Sequence, residues 1–190
     1  MKVMEEKNLS DKTDLSRPRV GFLGVGWIGR HRMKAIADSG LVEITAIADP
    51  VSENLSAAEE IAPKAEPLQS LDELLKQDLE AVVIATPSAL HASQTIQALD
   101  RGLAVYCQKP LGRNYRETLQ VIVAAHKVDR LLMVDFCYRY VAGMQKIRER
   151  LQQGAIGEVY AVDLVFHNAY GPDKDWFYDV TRSGGGCVID

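Results

Sequence analysis

A short apolar run that closes on spaced glycines and opens straight into a helical pattern restricts this chain more than any other feature. RVGFLG (residues 19–24) has the character of a buried strand, Gly24-Val25-Gly26-Trp27-Ile28-Gly29 follows, and WIGRHRMKAIADSG has helical spacing up to Ser39-Gly40. A second strand, LVEITAIADP, places Asp49 near its end, twenty residues after Gly29. A GxGxxG alone is weak, but between a strand and a helix, with an acid at that distance, it has the layout of a dinucleotide fingerprint. Gly24 permits the tight turn, Gly26 lets the backbone approach a pyrophosphate, and Gly29 lets the helix pack on the strand. The N–H groups of Trp27 and Ile28 would face the phosphates, where a helix N-terminus favours negative charge. Asp49 would accept from the adenosine ribose hydroxyls and repel a 2′-phosphate, which favours NAD over NADP; Arg30 beside the loop pulls the other way.

The alternation continues. VSENLSAAEEIAP reads as a helix ended by Pro63, and SLDELLKQ as a short helix with capping-box spacing between Ser70 and Glu73. LEAVVIATP, LAVYCQKP and LLMVDFCYR read as further strands, separated by the helices SALHASQTIQALDRG and NYRETLQVIVAAHKVD. Near-continuous apolar strands alternating with helices predict an α/β fold, a Rossmann-type doubly wound parallel sheet, over residues 19–138. Residues 1–18 read as a polar leader. From 139 to 190 the pattern changes to a helix, VAGMQKIRERLQQG, and an alternating strand, EVYAVDLVFHNA. That is the expected start of an incomplete α+β domain of antiparallel-sheet type, whose strand should pair with another copy or leave the segment mobile. Tyr170, Trp176, Phe177 and Tyr178 are expected to pack under a loop, with stacking on a sugar ring as the alternative, and Ser183–Gly186 to open a helix that carries Asp190.

The 190 residues carry a formal charge of −4, which offers no basic field for nucleic acid. No apolar run has the length of a membrane span. Cys107, Cys137 and Cys187 are odd in number and widely spaced, so neither a disulfide framework nor a metal site is expected, and a reducing cytoplasmic setting fits.

In open α/β sheets the ligand lies at the carboxyl ends of the strands. Here those ends offer Ala85-Thr86-Pro87, Gln108-Lys109-Pro110 and the stretch from Phe136 to Arg139. With GVGWIG, ATPSALHA, QKP, FCYRY and SGGGCVID in this order, residues 19–190 resemble the Gfo/Idh/MocA oxidoreductases. The resemblance implies an N-terminal Rossmann domain, a second domain on a large sheet, and redox chemistry on sugars, polyols and related compounds. It places Lys109 near nicotinamide and substrate, and Thr86, Pro87 and His91 along the nicotinamide-ribose side. It also puts Arg139 beside the active site and makes Asp190 the acid of a GGGxxxDxGxH segment. Gln108 stands where the family usually has glutamate, beside the cofactor but without charge. That segment's histidine would fall four positions after Asp190, so weak or absent turnover is expected of these 190 residues. His31 and His126 are expected at the surface of helices and His167 on a sheet.

The leading reading is an NAD(P)-dependent oxidoreductase acting on a small sugar or polyol, forming a homo-oligomer through its C-terminal segment. Two others stay open: a non-catalytic NAD-binding remnant, and a glycosidase using NAD in a transient oxidation.

Overall fold

The computed structural model describes residues 17–165, 167 and 175–185. Six parallel strands form one sheet: β1 (Arg19–Leu23), β2 (Glu43–Ala48), β3 (Glu66–Leu68), β4 (Ala81–Ile84), β5 (Ala104–Cys107) and β6 (Leu132–Val134). Their order is β3-β2-β1-β4-β5-β6, with every neighbouring pair parallel. The helices between them are α1 (Trp27–Asp38), α2 (Ser52–Glu59), α3 (Leu71–Leu74), α4 (Ser88–Asp100) and α5 (Tyr115–Val128).

Side chains alternate across the sheet, and both faces are covered. Val82 and Ile84 join one apolar cluster with Leu99, Val105 and Val121, while Val83 joins the other with Phe22, Ile47 and Met33. Because both faces bury apolar groups, these strands read as continuous apolar runs. Local signals set the helix starts. Ser70 accepts from the Glu73 amide at 3.3 Å and Asn114 from the Glu117 amide at 3.1 Å, each using an amide that the helix leaves unpaired.

The sheet has one strand more than the sequence pattern predicts. β3 is only Glu-Pro-Leu, too short to show a period; Pro67 fits because the strand lies at the sheet edge. The strand expected over LLMVDFCYR stops at Val134 and gives way to a 3-10 turn at Cys137–Tyr140, followed by α6 (Ala142–Gln152). Residues 158–165 and His167 form no strand and are exposed, which corrects the alternating strand expected there. A strand exists through its ladder, and the described residues supply no partner for this one. Farther on, α7 (Val180–Ser183) returns to the sheet domain and packs on α4, with Ser183 buried. It ends at Gly184, so the glycines close a helix; the helix expected after them, with Asp190, lies outside the described residues.

Candidate functional site

The chain order reverses between β1 and β4, and at that point the strand ends open a crevice. The Gly24 amide donates to the Ala48 carbonyl and the Ala85 amide to the Leu23 carbonyl, both at 2.8 Å, which draws the exits of β1, β2 and β4 together. Gly24 has φ +81°, and a Cβ there would stand 2.8 Å from the Ala85 backbone. At Gly29 a Cβ would come within 2.0 Å of the Gly24 carbonyl oxygen, so α1 can rest on the loop only without one. Gly26 differs: its Cβ would meet nothing nearer than the Asn54 side chain at 3.9 Å, because that side faces the crevice. Gly26 is also the N-cap of α1 and supplies no side-chain acceptor, leaving first-turn amides available to a ligand.

Asp49 is buried, and its role is wider than ribose contact. Its Oδ2 accepts from the Val25 amide at 2.9 Å, while Oδ1 accepts from the Val51 amide at 2.9 Å and the Asn54 side chain at 3.1 Å. A carboxylate offers about four acceptor positions, so about one remains for a ligand hydroxyl. Asp49 therefore ties the glycine loop to the start of α2 as well as facing the cleft. Arg30, which donates to the Val25 carbonyl and to Asn54, is held in the same network.

A cleft of ≈ 810 Å³ unites Gly24, Gly26, Trp27, Ile28, Asp49, Thr86, Pro87, His91, Gln108 and Lys109. Gly29 lies behind this wall as a packing residue. Trp27 is exposed and sits edge-on to His31, 4.3 Å between ring centroids. His91 is buried, with Nδ1 2.6 Å from the Pro110 carbonyl and Nε2 2.7 Å from the Thr86 carbonyl, so its ring braces the β4 exit against the β5 exit. A second cleft of ≈ 560 Å³ is lined by Pro110, Tyr115, Phe136 and Arg139 among others, and shares Lys109, Cys137 and Tyr138 with the first. Arg139 stands 5.3 Å over the Phe136 ring. His31, His126 and His167 are exposed.

Other residues of the wall, Gln69 and Gln94 among them, have no role in the sequence reading. Arg32 and Asn54 carried no motif. Of the aromatic cluster, Trp176 and Phe177 line the first cleft and do not simply pack under a loop, while Tyr178 is exposed and Tyr170 lies outside the described residues. Their segment is held by the Arg113 guanidinium, which donates to the Thr181 carbonyl and pairs with Glu117. Asp135, which lines the second cleft, is buried at the end of β6 and accepts from Arg32 and from Gln108. Burial pushes its carboxyl up, but hydrogen bonds from Arg32, Tyr106 and Gln108 outweigh that and hold it below the usual carboxylate range. Burial and the bond to Asp135 push the Tyr106 hydroxyl upward. The only sequence signal for Asp135 was an acid directly after an apolar strand.

Comparison with known proteins agrees with this geometry. The model of an oxidoreductase family with an NAD-binding Rossmann fold matches residues 18–136, and that of the GFO/IDH/MocA C-terminal domain matches residues 144–190. The chain is 30% identical over 177 residues to the rhizopine catabolism protein MocA of Rhizobium meliloti, covering 93% of this chain and 54% of that protein. It is 30% identical over 169 residues to an inositol 2-dehydrogenase of the same species, covering 88% and 49%. The crystal structure of the WlbA dehydrogenase from Bordetella pertussis, in complex with NADH and UDP-GlcNAcA, superposes with a TM-score of 0.71 at 30% identity, over 76% of this chain and 44% of that one. The chain thus spans about half the length of the relatives it matches.

Proposed function

Because the chain belongs to the Gfo/Idh/MocA family of NAD(P)-dependent oxidoreductases, we propose that its first cleft binds NAD and that its second receives a sugar or polyol whose alcohol carbon exchanges a hydride with the nicotinamide. One observation carries this reading: the glycine loop, Asp49 and Lys109 share a cleft, and Lys109 also walls the neighbouring cleft. Bound NAD would supply the hydride acceptor.

The chain's own residues supply the rest. The open side of Gly26 and the uncapped start of α1 suit a pyrophosphate. Asp49 offers its remaining acceptor position to a ribose hydroxyl and opposes a 2′-phosphate, which favours NAD over NADP. Thr86 and Pro87 would flank the nicotinamide side, with His91 bracing Thr86 from behind. Lys109 would donate a hydrogen bond to the substrate oxygen at the boundary of the clefts, stabilising negative charge as it develops. Arg139 would orient the substrate from the far wall. Trp176 and Phe177 would keep water from the reacting carbon. A proton-transfer role for Asp190 rests on the family resemblance alone, and assembly through residues 139–190 on that resemblance and on the apolar alternation of EVYAVDLVFHNA.

Energy transfer from tryptophan to NADH tests the reading, with NADPH titrated in parallel. Saturable binding is expected, with NADH about tenfold tighter, a difference of roughly 1.4 kcal/mol. Asp49→Ala should weaken both cofactors, because it also releases the glycine loop. A folded chain that shows no saturation up to about 1 mM NADH would overturn the proposal.

A further inference from the structure

We propose that Asp135 is a positioning residue for Lys109, acting through Gln108, and that its carboxylate is what requires an amide at position 108. The inference rests on the placement of Lys109 in the active site proposed above.

Gln108 and Asp135 are respectively 8% and 3% exposed, so each polar atom they carry needs a partner. Their backbones are set by the sheet: the Gln108 amide donates to the Ile84 carbonyl at 2.8 Å, and the Asp135 amide to the Cys107 carbonyl at 2.9 Å. The Gln108 side chain uses both ends of its amide. Nε2 donates to Asp135 Oδ2 at 2.8 Å, and Oε1 accepts from the Lys109 backbone amide at 3.0 Å. That second bond bends the side chain over the next peptide and fixes the start of the Lys109 turn. The first anchors the bend to the exit of β6.

Only an amide can do both. Glutamate at 108 could still accept from the Lys109 amide, but it has no proton to offer Asp135. Two buried carboxylates would then face each other at hydrogen-bond distance, and the pair would retain a proton well above the usual carboxylate range. The groups facing Asp135 are Arg32 from α1, Tyr106 and Gln108 from the β5 side, and Cys137 from the turn after β6. Arg32 already neutralises one carboxylate, and these groups offer no second cation. The amide at position 108 is thus matched to an acid 27 residues away.

The test uses the whole chain with Gln108→Glu, Gln108→Met, Asp135→Asn and the double variant Gln108→Glu/Asp135→Asn, between about pH 5.5 and 8.5. Three quantities are followed: melting temperature without ligand, NADH affinity, and the rate of Lys109 ε-amine modification relative to wild type, mapped by mass spectrometry. The relative rate cancels the amine's own pH dependence. Gln108→Glu should match wild type at the acid end. As the shared proton leaves, it should lose about tenfold in NADH affinity per pKa unit of coupling, and its Lys109 rate should change at the same midpoint. Gln108→Met should show a pH-independent change, and the double variant should lose the pH step. If Gln108→Glu unfolds near neutrality, refolding on acidification and pH-independent folding of the double variant are the same result read by stability.

A pH step that persists in the double variant overturns Asp135 as the cause. A step in melting temperature with no change in Lys109 rate overturns the positioning role. Failure of wild type to bind NADH refutes the proposed function instead, while the Lys109 rates and melting curves still decide the network.

Discussion

Replacing Gly29 and Gly26 one at a time by alanine should separate folding from binding in a loop where the two are usually confounded. At Gly29 the new methyl would stand 2.0 Å from the Gly24 carbonyl oxygen. To reach ordinary contact, α1 must withdraw by roughly 1 Å or more, and the obstructing atom belongs to the backbone and cannot rotate away. Overpacking costs about 1–3 kcal/mol, and this rigid contact belongs near the upper figure. For a chain of this size about 3 kcal/mol lowers the melting temperature by about 6–12 °C. At Gly26 the backbone is extended, φ −62° and ψ −167°, which alanine adopts freely, and the nearest atom lies 3.9 Å away. Stability should then stay within about 0.5 kcal/mol of wild type. The methyl would, however, project where a pyrophosphate must approach, so NADH affinity should fall about tenfold or more, roughly 1.4 kcal/mol. Thermal unfolding by circular dichroism without ligand, followed by NADH titration at a temperature where all three proteins are folded, reads both numbers. A Gly29→Ala protein melting within about 2 °C of wild type, or a Gly26→Ala protein with undiminished affinity, would refute the assignment of packing to one glycine and ligand approach to the other.

Two further outcomes follow from burial and charge. Burial pushes the Cys107 thiol up to about 12, whereas Cys137 is exposed and lines both clefts. A thiol reagent should therefore label Cys137 quickly, NADH should slow that reaction, and Cys107 should react only after unfolding; peptide mapping that finds equal native rates contradicts this. The Asp135 carboxyl is held low despite its burial by hydrogen bonds from Arg32, Tyr106 and Gln108, and that of Glu117 by hydrogen bonding to Arg113. A depressed folded value contributes stability above the unfolded pKa, near 4 for these groups, and loses it as pH falls through the folded value. Melting temperature should be flat with respect to these two groups above about pH 5 and decline on the acid side; Asp135→Asn should flatten part of that decline. An unchanged acid slope in the variant would show that Asp135 carries none of it.

Local chemistry made part of this protein legible in advance. The capping acceptors Ser70 and Asn114 work three residues from their partners, so spacing alone exposes them. The tight turn at Gly24, the close packing at Gly29 and the parallel sheet follow from a strand, a turn and a helix in immediate succession. β3 escaped because three residues have no period. The alternating strand expected over 158–169 does not form among the described residues 158–165 and 167, because alternation reports only that a segment suits a sheet, while a ladder needs a neighbour.

The α/β alternation, the glycine loop with its acid, and Lys109 at a strand exit are each written within one element or between an element and the next, so the order of residues alone exposes them. It took the packed fold to bring Arg32 to Asp135 across 103 residues, to set Asp135 against Gln108, and to turn most of the acceptor positions of Asp49 toward its own chain. The fold also brought Trp176 and Phe177 to the first cleft. The physical reason is common to all of these: a buried polar atom takes whichever partner the strand order places beside it, and that order is set by packing both faces of the sheet, not by distance along the chain.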